Sequence, residues 1–373
     1  MSSLRIAIVL QTPKDQHSSV YLTYQSLARE LTRLGHQVAI VTPQDFPLAR
    51  KTAGRWTPLI YPWIVASWMA KHAKTCDLAV FHSYAGWRAV SVARRWNVKT
   101  VVAFHGLESL YHAEIVKEMQ NAGGLSWRYR FLQERLMPRF LQRACRHASL
   151  ITCLNTAERD WLVEKGWTTE GRVAIVGHGV GDHFFSREPR ERQPRTLLFV
   201  GQWLGMKGVS FLRDAFQALA RTHPDLRLVC AGTLAAKEEV LASFDPDVRS
   251  RVTVFPRVDQ PALPDIYKDA DVFVFPSSYD GFGLAIVEAM AARLPIVVTP
   301  VGVAADALQD GVSAIFVPKR DAKAIVDAVQ RLLQDPVLRQ ELGDAAQEAA
   351  RNYREIETVR AWAHTLTSVD RLS

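Results

Sequence analysis

The sequence predicts an α/β protein built from two Rossmann-like domains, and three observations carry that expectation. Short, fully apolar segments alternate with stretches of helical periodicity, the pattern of parallel sheets covered on both faces. The segments fall into two series, separated by the polar stretch Ser186–Arg195. A length of 373 residues suits two or three units at roughly 150 residues each, with ample core in every one.

The first series opens with Arg5–Leu10, a continuous apolar strand. Val20–Leu34 repeats apolar residues at helical spacing, and Gly35 follows as its C-cap. Further strands are expected at Gln37–Thr42, Asp77–Phe81, Thr100–Phe104 and Leu150–Cys153. The second series places strands at Thr196–Val200, Leu226–Ala231, Val252–Phe255, Val272–Phe275, Ile296–Thr299 and Ala314–Val317. Helices fill the intervals, one beginning at about Val209 and another near Leu284. The expected domains are 1–185 and 186–354, with a C-terminal helix at about 355–373 packing back on the first.

Composition excludes several classes. The first ten residues form a strand-length apolar run without an Ala-x-Ala site, so they do not read as a signal peptide. No apolar run approaches the ~18–20 residues of a transmembrane helix. Cys76, Cys145, Cys153 and Cys230 lack paired spacing, which argues against a zinc site or a disulfide framework and for reduced thiols in a cytoplasmic protein. The net charge of +8 is uneven. Residues 1–185 hold 23 Lys and Arg against 13 Asp and Glu, or +10, and the remainder holds 23 against 25, or −2. That asymmetry points to an anionic partner for the first half.

The most informative segment is 276–299. Asp280 stands in a Gly-rich turn directly after the strand Val272–Phe275, and Glu288 follows eight residues later, inside a helix. A strand that runs through Gly281-Phe282-Gly283 into a helix at Leu284 presents free backbone N–H groups and the positive end of a helix dipole. Such a place suits a phosphate or a dense array of hydroxyls. Lys207, beside Gly208 and a helix start, is likewise suited to a diphosphate. His105 and Gly106 follow the strand Thr100–Phe104, at the sheet edge where α/β proteins put functional groups. The residues alone leave His105 equally open to a structural role.

Residues 276–299 resemble the Glu-x7-Glu signature of retaining, nucleotide-sugar-dependent glycosyltransferases of family 4. The resemblance implies a GT-B fold, two Rossmann-like domains facing each other across a donor-binding cleft. It also implies roles: Asp280 and the backbone of Gly281, Phe282, Gly283 and Leu284 hold the donor sugar, and Glu288 holds the ribose. Lys207 matches the family's Lys-Gly beside the pyrophosphate, whereas Gln202 stands where an Arg is usual. His105 matches a histidine beside the donor sugar and, with Asp280, is the expected catalytic group. Ser18 and Ser19 replace a Gly-rich phosphate loop after the first strand, with Lys14 offering charge absent at Gln202. Arg257 and Val258 fall in the segment whose backbone reads the nucleotide base. Gly177-His-Gly-Val-Gly-Asp182 resembles the family's Asn-Gly-Val-Asp turn with an extra glycine. Asp280 is one methylene shorter than the usual Glu, and Arg293 replaces a usual Gly. Asp269-Ala-Asp271 spells a metal–nucleotide motif of another glycosyltransferase fold, but its place before a strand reads as solvent-side structure, so neither metal nor cofactor is expected.

Two basic stretches, Leu48–Lys74 and Leu125–His147, interleave Lys and Arg with aromatics. They suit an anionic membrane surface or, equally, amphipathic core helices with solvated basic faces. No nucleic-acid module is present. The implied activity is retaining transfer of a hexose-type sugar from a nucleoside diphosphate sugar to a glycan or lipid-linked acceptor. Its setting would be cell-envelope polysaccharide or glycolipid synthesis, in the cytoplasm or on the inner face of the membrane. The alternatives are a non-catalytic nucleotide-sugar-binding protein and a GT-B nucleotide-sugar epimerase.

Overall fold

The computed structural model describes residues 3–15, 19–51, 57–119, 126–186 and 195–369. They form two compact units. The described residues of Met1–Ala113, Gly123–His178 and Ile356–Ser373 make unit 1, and those of Glu114–Ala122 and Gly179–Glu355 make unit 2.

Unit 1 holds a six-stranded parallel sheet in the order β2-β1-β3-β4-β5-β6. Its strands are β1 Arg5–Val9, β2 Gln37–Val41, β3 Leu78–His82, β4 Lys99–Ala103, β5 Leu150–Cys153 and β6 Val173–Ile175. Every residue of β3 and β5 is buried, which is why they read as unbroken apolar runs. The edge strand β6, absent from the expected series, spans only three residues and leaves Ile175 exposed.

Helix α1 (Ser19–Arg33) buries Tyr24, Leu27 and Leu31, one stripe at helical spacing, against Ile8, Val80 and Val101. Helix α2 (Thr57–His72) buries Tyr61, Val65 and Met69 on the other face with Phe81 and Val102. At roughly 2 kcal/mol per large apolar side chain, each stripe contributes an amount comparable to a domain's whole net stability. Helix α3 (Met137–His147) adds Leu141 to the second core. A helix of the far C-terminal region, Glu355–Thr367, places Trp362, Ala363 and Leu366 in the same core as α1.

Unit 2 repeats the architecture with the order β12-β11-β10-β7-β8-β9. Its strands are β7 Thr196–Val200, β8 Arg227–Ala231, β9 Val252–Phe255, β10 Val272–Phe275, β11 Ile296–Val298 and β12 Ile315–Phe316. Strand β7 pairs with both β8 and β10, so chain order reverses beside it, the place where open α/β sheets form ligand crevices. Helices α4 (Val209–Thr222), α5 (Leu263–Asp269) and α6 (Leu284–Ala291) flank that point.

Asp271 corrects one expectation. It is buried rather than solvent-side, and its Oδ2 accepts from the N–H groups of Arg195 at 2.9 Å and Thr196 at 3.0 Å, capping the start of β7. Asp269 alone is exposed.

The basic stretches divide. In the first, Tyr61 donates to the Leu10 carbonyl at 2.6 Å, and the exposed Trp63 carries the Arg88 guanidinium 3.4 Å over its ring. In its described part Tyr61, Val65 and Met69 are core, while Trp63, Lys71 and Lys74 are exposed. In the second, residues 127–147 run helically without a break, with a π-helical turn at Phe131–Leu136. Trp127 is 72% exposed and Phe131 56%, one helical turn apart, while Phe140 stacks on Trp87 farther along. Among the described residues, no helix is long and apolar enough to cross a membrane.

Candidate functional site

In unit 2, two loops meet at the ends of β7 and β10. The Met206 carbonyl accepts from the Ser278 N–H at 2.7 Å and the Ser277 hydroxyl at 3.0 Å, stapling one loop to the other. Gly208, with φ of 73°, lies so close beneath that a Cβ would stand 2.0 Å from the Pro276 carbonyl oxygen. This staple brings Lys207 to Asp280, Nζ to Oδ2, at 2.6 Å, with both side chains mostly buried. Asp280 Oδ1 accepts from the Phe282 N–H at 3.2 Å, so the acid is held at both oxygens.

Helix α6 begins behind Gly283, whose φ is 90°. Among the described residues, the N–H groups of Gly283, Leu284 and Ala285 find no protein acceptor. These open donors, together with the helix dipole, favour an anion or hydroxyl oxygens. Gly281 lies in the same turn, and Phe282, its side chain buried, gives its N–H to Asp280 and accepts from the Val303 N–H at 2.7 Å. One turn into α6, Glu288 accepts from the Tyr267 hydroxyl at 2.7 Å. Burial pushes its carboxyl up to about 7, against the opposing pull of that bond.

Gln202 is exposed in the loop after β7. Arg257, exposed, and Val258, half-buried, follow β9, three strands from β10 in the sheet. Arg293 adopts φ of 56° and pairs with Asp344, which explains why glycine is the easier residue there.

In unit 1, His105 follows β4 and is half-buried. Its Nδ1 lies 3.1 Å from His178 Nε2, and His178 Nδ1 lies 3.4 Å from the Thr23 hydroxyl. The rings of Tyr24 and His82 stand 4.9 and 5.0 Å from that of His105, with Trp362 at 5.8 Å. Burial pulls the His82 imidazole down to about 3 and the His105 imidazole well below its ordinary value, with repulsion from His178 added. Among the described residues, the buried Tyr24 Oη, His82 Nδ1 and Trp362 Nε1 find no hydrogen-bond partner. So much uncharged, unsatisfied polarity calls for water or ligand hydroxyls.

Ser18 lies outside the described residues, and Ser19 is the first residue of α1. Lys14 pairs with Asp45 at 3.0 Å. Tyr267, His178, Tyr24, His82 and Trp362 were not singled out from sequence. His178 alone carried a signal, as the histidine of the Gly-His-Gly turn.

The family description "Glycosyltransferase Family 4" matches residues 23–184, and "Glycosyl transferases group 1" matches residues 182–349. A glycogen synthase of Mycobacterium tuberculosis is 28% identical over 286 residues, covering 76% of this chain and 64% of that protein. A phosphatidyl-myo-inositol mannosyltransferase of Mycobacterium leprae is 32% identical over 184 residues, 48% of this chain and 49% of that one. The chain thus spans about half to two thirds of the length of these curated relatives. Among solved structures, a sucrose-phosphate synthase from Thermosynechococcus elongatus superposes with a TM-score of 0.78 at 19% identity, covering 99% of this chain and 100% of that one. The Anabaena protein HepE, solved with UDP-glucose, superposes at 0.69 and 17% identity, covering 98% and 100%.

Proposed function

Because this chain belongs to the family 4 glycosyltransferases of GT-B fold, we propose that it transfers a hexose-type sugar, with retention, from a nucleoside diphosphate sugar to a glycan or lipid-linked acceptor. The observation that carries this reading is the Lys207–Asp280 pair beside the open N–H groups heading α6. The diphosphate takes Lys207 from Asp280 and receives the positive ends of α4 and α6. Asp280, freed, accepts from sugar hydroxyls, while Glu288 accepts from the ribose. As the bond from the anomeric carbon to the diphosphate breaks, its electron pair leaves with the phosphate oxygen. The acceptor oxygen bonds on the same face, and its proton goes to the departing diphosphate. Lys207 and the backbone donors meet the developing charge, so the step requires no metal. HepE, solved with UDP-glucose, supports a donor of this class.

The acceptor side favours a membrane. Trp127 and Phe131 stand exposed beside Arg128, Arg135 and Arg139, all exposed, on the more basic half of the chain. Aromatic rings at headgroup level with cations over anionic lipid hold a peripheral protein on the inner face of the cell membrane. Synthesis of envelope polysaccharide or glycolipid follows as the setting.

The test is direct. UDP, GDP and ADP sugars are screened by thermal shift, and the stabilising donor is incubated with enzyme and chelator. Release of nucleoside diphosphate, slow alone and faster with acceptor, is expected. Binding without release identifies a non-catalytic binding protein, and conversion to a second nucleotide sugar identifies an epimerase.

A further inference from the structure

The turn that leaves β3 carries a cation to which the protein gives no anion. It stands at the carboxyl edge of the unit 1 sheet, the edge at which α/β proteins bind ligands. Two constraints hold it. Ser83 takes a left-handed φ of 47° while its hydroxyl donates to the Glu108 carboxyl, and Gly86 packs so closely that a Cβ would stand 2.5 Å from that of Phe81. Backbone of this kind persists only where its surroundings impose it, and it gathers at ligand sites. Trp87 and Arg88 therefore follow from a rigid base.

Arg88 is half-buried, its guanidinium carbon 3.4 Å over the ring of Trp63 on α2 and 5.1 Å from the ring centre of Trp87. Trp87 stacks in turn on Phe140 of α3 at 4.1 Å, and the Trp63 ring stands at 86° to it. The rings orient the guanidinium but satisfy none of its five N–H donors. Among the described residues, nothing accepts from the Arg88 side chain. The Trp87 Nε1, on a residue only 8% exposed, is buried and likewise finds no acceptor among them. A buried indole N–H ordinarily has one. Two neighbouring donor groups, one of them charged, thus wait for the same kind of partner.

We propose that Arg88 and Trp87 form a binding site for a phosphate ester, with Trp63 as an apolar rim for the organic part of the ligand. The guanidinium fork matches two phosphate oxygens, and the indole N–H serves another. Trp63, 55% exposed, leaves ring surface open beside the fork. The surroundings favour an anion: Arg139 and Arg143, both exposed, bracket Phe140 on α3, and the excess of cations over residues 1–185 acts in the same sense. The site lies wholly in unit 1, shares no residue with the Lys207–Asp280 cluster and stands whether or not the chain transfers a sugar.

The experiment follows the ¹H–¹⁵N resonance of the Trp87 indole, assigned by its loss in Trp87→Phe, at constant ionic strength. Glycerol 3-phosphate and dihexanoyl phosphatidic acid below its micellar concentration are the probes, with dihexanoyl glycerol as the uncharged control. A saturable shift is expected with both phosphates and none with the control. Arg88→Lys, which keeps the charge but removes the fork, should weaken binding about tenfold or more. Tighter binding of the phosphatidic acid, with the advantage lost in the exposed-site variant Trp63→Ala, identifies a lipid-borne phosphate as the ligand. Equal or tighter binding of glycerol 3-phosphate identifies a free phosphate ester. Lys207→Ala should keep the shift, since the donor loop of unit 2 takes no part. Absence of a saturable shift with either phosphate, its loss in Lys207→Ala, or wild-type affinity in both Arg88→Lys and Arg88→Ala overturns the site.

Discussion

Lys207 and Asp280, seventy-three positions apart in the chain, meet at 2.6 Å. The ion pair keeps an anion-seeking ammonium and a hydroxyl-seeking carboxylate in register, each neutralising the other.

Substitution at this pair should divide binding from transfer. Lys207→Ala should reduce kcat/KM by tenfold to more than a hundredfold, as expected for about 1.5–3 kcal/mol from a charge-assisted contact. Asp280→Asn should lose sugar transfer yet still bind nucleoside diphosphate by calorimetry. Equal loss of both in Asp280→Asn would make that residue a turn element only.

The buried Glu288 should mark the pH dependence of unit 2. Its folded carboxyl titrates at about 7 because of burial, above an unfolded value near 4.5, so the folded state holds the proton through that window. Its contribution is therefore fully present below about 4.5 and is lost as pH rises through about 7. Glu288→Gln should flatten this dependence and raise the unfolding midpoint at pH 8, while costing turnover through the ribose. A mutant stability profile parallel to wild type between pH 5 and 8 would remove the assignment.

Much of this was legible in the chain. Apolar runs announced eleven of the strands, most clearly β3, β5, β10 and β11, which are buried on both faces because nothing polar interrupts a covered parallel sheet, whereas β2, β9 and β12 lie partly open. The turn into α6 could be read because strand, glycines and acid are contiguous. Tyr267 could not, since its partner Glu288 lies beyond an intervening strand, and only the packing of α5 on α6 joins them. Asp271 was misjudged for a related reason: its partners are the N–H groups of Arg195 and Thr196, which sequence spacing does not reveal.

Gly208→Ala is expected to be more damaging than an ordinary glycine substitution. The new methyl would collide with the Pro276 carbonyl at 2.0 Å and would sit on a left-handed backbone. The loop carrying Lys207 would have to withdraw from the loop carrying Asp280. Donor-induced thermal stabilisation should disappear, whereas Gly35→Ala, with open space around its Cβ, should only lower stability. Persistence of the donor shift in Gly208→Ala would show that the staple is dispensable.

The exposed aromatics of unit 1 should respond to salt. The protein should co-sediment with anionic vesicles at low salt, much less at 1 M, where the Debye length falls to about 3 Å, and hardly with neutral ones. Trp127→Ala with Phe131→Ala should weaken binding at all salt concentrations, and Arg128, Arg135 and Arg139 changed to Glu should abolish it. Donor hydrolysis should survive both. Equal partitioning onto neutral and anionic vesicles would leave the helix an ordinary surface element.

The helix Glu355–Thr367 has a consequence for biosynthesis. Tyr24, Leu27 and Ile8 share a core with Trp362, Ala363, Leu366 and Val369. A ribosome will have made the whole of unit 2 before those last side chains emerge. The unit begun first is thus completed after unit 2, and during translation the sheet face that α1 covers waits for the rest of its cover, a natural substrate for a chaperone until residue 369 emerges.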